Sequence, residues 1–187
     1  MELKNFTKKY GDKIVFENAN FVFPDNKIIA IMGVSGRGKT TLLNVLSGLD
    51  KDFSGEYIDK KECAYIFQEP RLLKGATVLE NTLIGCGFKN KEKAIELLEN
   101  LELTEYIDAY PKSLSGGMAM RVSMARAFVS EREVILMDEA FKSLDEDLRY
   151  RLYDLFKKLW QEKKPTTIMV THDREEAEYL ADEIIDI

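Results

Sequence analysis

The stretch IIAIMGVSGRGKTT, residues 28–41, constrains this chain more than any other. It opens as a continuous apolar run, Ile28 to Met32, the pattern of a strand buried on both faces. It then breaks into Gly33, Gly36 and Gly38 and resumes as TTLLNVLSGL, apolar at helical spacing. Gly33, Gly38, Lys39 and Thr40 fill G-x-x-x-x-G-K-[ST]. Glycines let a backbone turn tightly and bring its N–H groups onto phosphate oxygens, and the helix that starts near Gly38 adds its positive end. The whole segment Gly33, Val34, Ser35, Gly36, Arg37, Gly38, Lys39, Thr40, Thr41 is therefore expected to hold a nucleoside triphosphate. Lys39 can reach the β- and γ-phosphates, and the Thr40 hydroxyl can ligate Mg²⁺.

The rest of the chain reads as an α/β protein built around that strand. Glu2–Phe6 and Asn20–Phe23 alternate like strands, and Tyr10–Asp12 and Pro24–Asn26 are turns. A helix over Lys39–Leu49 is followed by short strands at Glu56–Ile58 and Cys63–Phe67. Helical periodicity marks Val78–Ile84, Lys91–Leu101, a helix beginning at Ser115, Asp145–Trp160 and Asp173–Leu180, with a short turn from Thr104 to Tyr106. Val134–Met137 and Thr166–Val170 are further continuous apolar runs, and Ile184–Ile187 ends the chain as a strand. Strands alternating with helices predict a mainly parallel sheet flanked by helices, with a small antiparallel β portion near the start. The largely helical middle, roughly 69–130, reads as a subdomain inserted in a single domain spanning 1–187.

Composition removes several function classes. At 187 residues, with 45% hydrophobic and 32% charged residues, the chain has the balance of one globular domain. Its net charge of −6 gives no reason to expect nucleic acid. Cys63 and Cys86 lack zinc-like spacing and read as reduced thiols of a cytosolic protein. No N-terminal signal is apparent, and no apolar run approaches the roughly 18 residues of a membrane span. A soluble protein is expected, one that reaches any membrane through a partner.

Three further signals refine the first. Asp138 ends the apolar run 134–137 and can hold Mg²⁺ beside a phosphate loop, and the adjacent Glu139 can polarise an attacking water. Ser115-Gly116-Gly117 opens a helix with a hydroxyl and two glycines, either an ordinary serine cap or a second anion-facing N-terminus. His172, the lone histidine, follows a buried strand at the edge where α/β proteins bind ligands.

In order, GVSGRGKTT at 33–41, Gln68 after a short strand, LSGG at 114–117, VILMDE at 134–139, SLD at 143–145 and His172 resemble the nucleotide-binding subunit of ABC transporters over nearly the whole chain. The resemblance implies the ABC ATPase fold and an ATP-hydrolysing subunit that powers transport as an ATP-sandwiched dimer. It further implies Glu139 as base, with Gln68 and His172 sensing the γ-phosphate. Mg²⁺ would be held by Thr40, Gln68 and Asp138, and Tyr10 would stack on adenine. Ser115, Gly116 and Gly117 would clamp the ATP of the other subunit, and Asp145 would reach across the dimer. Implied partners are a transmembrane permease, a second ATPase subunit and a solute-binding protein, with the chain cytoplasmic and peripheral on the inner membrane face. Residues 67–82 look most like importers of nitrate, sulfonate and taurine type.

Met118 stands where the signature usually has glutamine, Ala140 replaces a common proline, and the short interval from Lys39 to Gln68 predicts a trimmed antiparallel portion. A GTPase is disfavoured because Asn90–Lys93 ends in lysine where guanine needs a carboxylate. A small-molecule kinase gives no reason for LSGG. The serious alternative is a non-transport ABC ATPase or a nucleotide-dependent regulatory module. Leu72, Leu73, Val78 and Leu79 lie beside Pro70 and Gly75, so some of them are expected to stay exposed as an apolar docking patch for a helix of the membrane partner; the alternative is that they only pack the helical insertion internally.

Overall fold

Every residue of the central strand is buried, as its unbroken apolar run predicts. The structure is a computed structural model that describes residues 1–142 and 144–187; Ser143 of the SLD motif lies outside the described residues. Contacts divide the chain into two compact units. The first comprises Met1–Cys63, Glu133–Asp138 and Lys164–Ile187, and the second Ala64–Arg132 and Glu139–Lys163.

In the first unit, β3 (Ile28–Met32) pairs in parallel with β7 (Thr166–Val170) on one side and β8 (Glu183–Asp186) on the other. β6 (Val134–Asp138) extends the sheet beyond β7, so the order is β6-β7-β3-β8. Parallel neighbours need crossovers, and helices α1 (Lys39–Ser47) and α6 (Arg174–Leu180) pack on these strands. The antiparallel portion is a sheet in the order β2-β1-β4, from β2 (Lys13–Val22), β1 (Glu2–Tyr10) and β4 (Ser54–Ile58). Phe6, Phe16 and Phe21 fill its inner face, with Phe6 and Phe16 ring centroids 5.2 Å apart.

β1 and β2 run well past the segments their alternation marks, Glu2–Phe6 and Asn20–Phe23. The reason is local: Asn5 (φ 50°) and Asn18 (φ 47°) sit in left-handed bulges, and the register shifts between Leu3 and Phe6 and again around Lys8. Inward residues therefore fall at Leu3, Phe6 and Lys8, which breaks the period of two. The predicted Lys39–Leu49 helix stops at Ser47 because Gly48 (φ 77°) takes the left-handed C-terminal position.

The second unit begins in β5 (Cys63–Ile66) and is otherwise helical: α2 (Val78–Leu83), α3 (Lys91–Asn100), α4 (Gly116–Val129) and α5 (Glu146–Lys163). α4 packs against the other three, which explains why it is apolar on most sides, with Met120, Val122, Met124, Ala125, Ala127 and Val129 buried. A capping box starts α2: Thr77 Oγ1 accepts the Glu80 amide at 3.2 Å and the Thr77 amide donates to Glu80 at 2.7 Å. Among the described residues Cys63 and Cys86 form no disulfide.

Candidate functional site

In the first unit the phosphate loop joins β3 to α1. Gly38 occupies the position before the helix with φ 97° and provides no side-chain cap. The N–H groups of the first turn of α1 are thus left to an external acceptor, the arrangement that binds anions. The conformation and the packing both require glycine here. A Cβ on Gly38 would lie 2.4 Å from Val15 Cγ1 and 2.8 Å from the Phe16 ring of β2. Lys39 is buried, its ammonium donating to the Gly33 carbonyl at 2.6 Å and the Val34 carbonyl at 3.2 Å. It is folded over the loop, so its positive charge lies beside the open amides at the start of α1. Val34, Ser35, Gly36 and Arg37 form the exposed crest of the loop, while Thr41 is half-buried on α1.

Thr40 Oγ1 donates to Asp138 Oδ1 at 3.2 Å, bringing a hydroxyl and a carboxylate from α1 and the end of β6 together. Hard oxygen donors of this kind suit Mg²⁺. His172 lies exposed in the turn between β7 and α6. The flanking backbone is fixed: Thr171 Oγ1 donates to buried Glu176 at 3.1 Å, and the Asp173 amide donates to Thr171 Oγ1 at 3.0 Å. Tyr10 ends β1, half exposed, with its hydroxyl donating to Asp50 at 3.0 Å.

The second unit carries the other predicted residues. The chain enters it at Glu139, one peptide bond beyond Asp138. Glu139 has φ 45° and starts a turn closed by the Lys142 amide on its carbonyl at 3.2 Å. Lys142 Nζ donates to Glu139 Oε2 at 2.5 Å. This ion pair has no signature in the sequence, because nothing in residues 139–142 announces a turn that brings them together. Gln68 is exposed in a bend after β5.

Ser115 is the cap of α4, its hydroxyl accepting the Met118 amide at 3.3 Å, so the ordinary capping reading describes its own contacts. A Cβ on Gly116 would meet nothing within 4 Å, whereas one on Gly117 would lie 2.6 Å from Leu148 Cδ2. Gly116 is therefore open to an approaching group, and Gly117 lets α5 pack close. Asp145 caps α5, accepting the Leu148 amide at 3.0 Å.

The segment after Gln68 is held by two side chains with no motif of their own. Fully buried Asn81 accepts the Leu73 amide at 2.7 Å and donates to the carbonyls of Leu73, Ala76 and Thr77 at 2.9–3.1 Å. Arg126 of α4 donates to the Pro70 carbonyl at 2.7 Å and the Arg71 carbonyl at 3.1 Å, and burial lowers its pKa. Leu73 is 57% exposed, but Val78 is fully buried and belongs to the interior rather than to an exposed patch.

The sequence matches the family described as ABC transporter over residues 16–142. An aliphatic sulfonates import ATP-binding protein of Bacillus cereus is 40% identical, over 97% of this chain and 77% of its own length. That of Zymomonas mobilis is 38% identical, over 99% of this chain and 80% of its own length. A dimeric bacterial ABC transporter cassette superposes with a TM-score of 0.87 at 32% identity, covering 100% of this chain and 93% of that one. A cassette in a post-hydrolysis state bound to ADP and Pi superposes with a TM-score of 0.86, also at 32% identity with the same coverage. With the phosphate loop, the Thr40–Asp138 pair and the Ser115-capped helix all in place, the chain belongs to the ABC transporter family, as one of its ATP-hydrolysing subunits.

Proposed function

We propose that this chain powers an importer of the sulfonate class, working as a dimer that sandwiches ATP between the phosphate loop of one copy and the Ser115–Gly117 helix start of the other. The observation that carries the site assignment is the start of α1: an uncapped N-terminus at left-handed Gly38, with Lys39 folded over the loop and Thr40 bonded to Asp138. The sulfonate class rests on the likeness to aliphatic sulfonate import proteins. The dimer rests on the likeness to a dimeric cassette and on the open surface at Gly116.

The residues divide the work as follows. Amides of residues 33–41 and Lys39 bind the phosphates, and Tyr10 stacks on the base. Thr40, Asp138 and Gln68 would hold Mg²⁺, which would supply charge neutralisation at the phosphates. Glu139 takes the proton of the attacking water as its oxygen bonds to the γ-phosphorus and the bond to the ADP oxygen breaks. His172 and Gln68 contact the γ-phosphate, and Asp145 acts across the dimer. Residues 1–187 form a single catalytic domain with a helical portion at roughly 69–130. Among the described residues no helix is long and apolar enough to cross a membrane. On the likeness to import ATP-binding proteins, the chain works peripherally at the cytoplasmic face, docked on a permease through the exposed segment around Leu73, with a solute-binding protein delivering cargo.

Complementation tests the sandwich. Gly116→Asp places a carboxylate where the partner's γ-phosphate docks, and Lys39→Ala removes the phosphate lysine. Each mutant alone should be inactive, while their mixture retains one intact composite site and should recover ATPase activity. Heterodimers that form without recovering activity would refute the arrangement.

A further inference from the structure

Lys8 is a lysine in the interior of a sheet, 1% exposed, on a strand whose other inward residues are Leu3 and Phe6. Its ammonium reaches both oxygens of Asp50 at 3.0 Å, the Asp52 carboxylate at 3.4 Å and the Asp52 carbonyl. A buried ion pair is a weak source of stability, since an apolar side chain of similar volume would often serve as well. The group therefore calls for another role, and its surroundings supply one. Lys8 Nζ stands 4.6 Å from the centroid of the Tyr10 ring, and Asp50 accepts the Tyr10 hydroxyl. Lys8 and Asp50 thus grip Tyr10 by one ring face and by its polar tip, leaving half of the residue exposed.

Asp50 is itself fixed to the phosphate-binding helix. Its amide donates to the Asn44 carbonyl of α1 at 3.0 Å, and its carboxylate accepts the Asp52 amide at 3.0 Å. One helix, about 13 Å long at 1.5 Å per residue, therefore meets phosphates at its start and anchors the Tyr10 clamp just beyond its end. The charged state of the clamp is secure. Burial works against the Lys8 ammonium, but the Asp50 and Asp52 carboxylates outweigh it and raise its pKa. Desolvation likewise opposes the Asp50 charge, and the bonds from Lys8, the Asp52 amide and Tyr10 bring its pKa below the usual carboxylate range.

We infer that Lys8 and Asp50 are positioning residues for nucleotide recognition: they hold the Tyr10 ring in one orientation, so that its exposed face is ready to stack on a purine base. The inference rests on the reading of Tyr10 as the base-stacking residue. A ring held in advance spares the ordering cost of binding, and the effect belongs to the base and not to the phosphates.

The test measures binding of ADP and of inorganic pyrophosphate, both with Mg²⁺, to the full chain by calorimetry. Lys8→Met and Tyr10→Phe, which keeps the ring but loses the Asp50 bond, should each weaken ADP by about two- to tenfold, the ordering cost of one side chain. Pyrophosphate affinity should not change, and Lys8→Met should add nothing in a Tyr10→Ala background. If Tyr10→Ala weakens ADP while Lys8→Met and Tyr10→Phe do not, the clamp is overturned and the stacking reading stands. If Tyr10→Ala has no effect on ADP, the stacking reading falls and the clamp with it. Equal loss of ADP and pyrophosphate in Lys8→Met would mark Lys8 as structural only and overturn the inference. Should Lys8→Met fail to fold, Tyr10→Phe and Asp50→Asn decide by the same comparison.

Discussion

Gly38 and Gly36 both adopt left-handed backbone, at φ 97° and 83°, yet they differ in what surrounds them. An alanine at Gly36 would meet nothing within 4 Å and bears only the left-handed strain, about 1 kcal/mol. At Gly38 the same methyl collides with Val15 and Phe16 in β2, so strain and overpacking add. Gly38→Ala should destabilise the protein by about 2–4 kcal/mol and abolish ATP binding, whereas Gly36→Ala should stay near 1 kcal/mol. Urea unfolding of the two variants checks the difference. Glu139 calls for a different measurement. Glu139→Gln keeps its reach toward Lys142 but cannot accept a proton, so turnover should fall by roughly 10²-fold or more. ATP binding should persist, and an ATP-bound dimer should accumulate on gel filtration. Unchanged turnover would remove Glu139 from the role of base.

At the scale of elements, the segment between Gln68 and α2 is held almost wholly by side chains reaching its backbone. The Asn81 side chain accepts the Leu73 amide and shares its NH2 among the carbonyls of Leu73, Ala76 and Thr77, and Arg126 donates to the carbonyls of Pro70 and Arg71. Removing one partner from buried polar groups costs about 1–3 kcal/mol per group left unsatisfied. Asn81→Ala should accordingly lower stability by about 2–4 kcal/mol and speed amide exchange at Leu73. Leu73 itself behaves oppositely, because its exposed side chain contributes little to the interior. Leu73→Ser should leave folding and ATPase activity intact while co-purification with membranes falls. Loss of folding with unchanged membrane association would show that Leu73 serves packing alone.

For the whole molecule, ion pairs add a modest pH dependence to stability. Lys61 holds the Asp25 carboxyl below the usual range through a hydrogen bond and its charge, and Lys163 does the same for Glu131. Together with Asp50, these groups contribute stability that is present above the ordinary carboxylate pKa and lost as pH falls through their lowered values. Lys27, bonded to Glu183, and Lys61, bonded to Asp25, have raised pKa values. Their contribution is complete below the ordinary lysine pKa and lost as pH rises through the raised values. The melting temperature should form a plateau between these limits and fall in acid below about pH 4. Asp25→Asn should flatten part of the acid decline, as measured by thermal unfolding across pH.

The sequence by itself determined the glycine-rich loop, the parallel strands and the order of the motifs around them, because these depend on local pattern. Ile28–Met32 must be buried whichever strands flank it, and only glycine tolerates the turn at Gly38. The helix start at Ser115 was legible for the same reason, since a cap is made within a few residues. What lies beyond local pattern was settled by tertiary structure. β1 and β2 are long because they pair along most of their length, and their bulges at Asn5 and Asn18 hide that length from any count of alternation. Val78 is buried because α2 packs against α3 and α4, although the adjoining sequence looks like an exposed patch. Lys142 meets Glu139 only through a turn, and Lys8 meets Asp50 only because an inward strand position faces the end of α1. Charge pairs act over a few ångströms of space, and the distance between their residues in the chain says nothing of that separation until the backbone is folded.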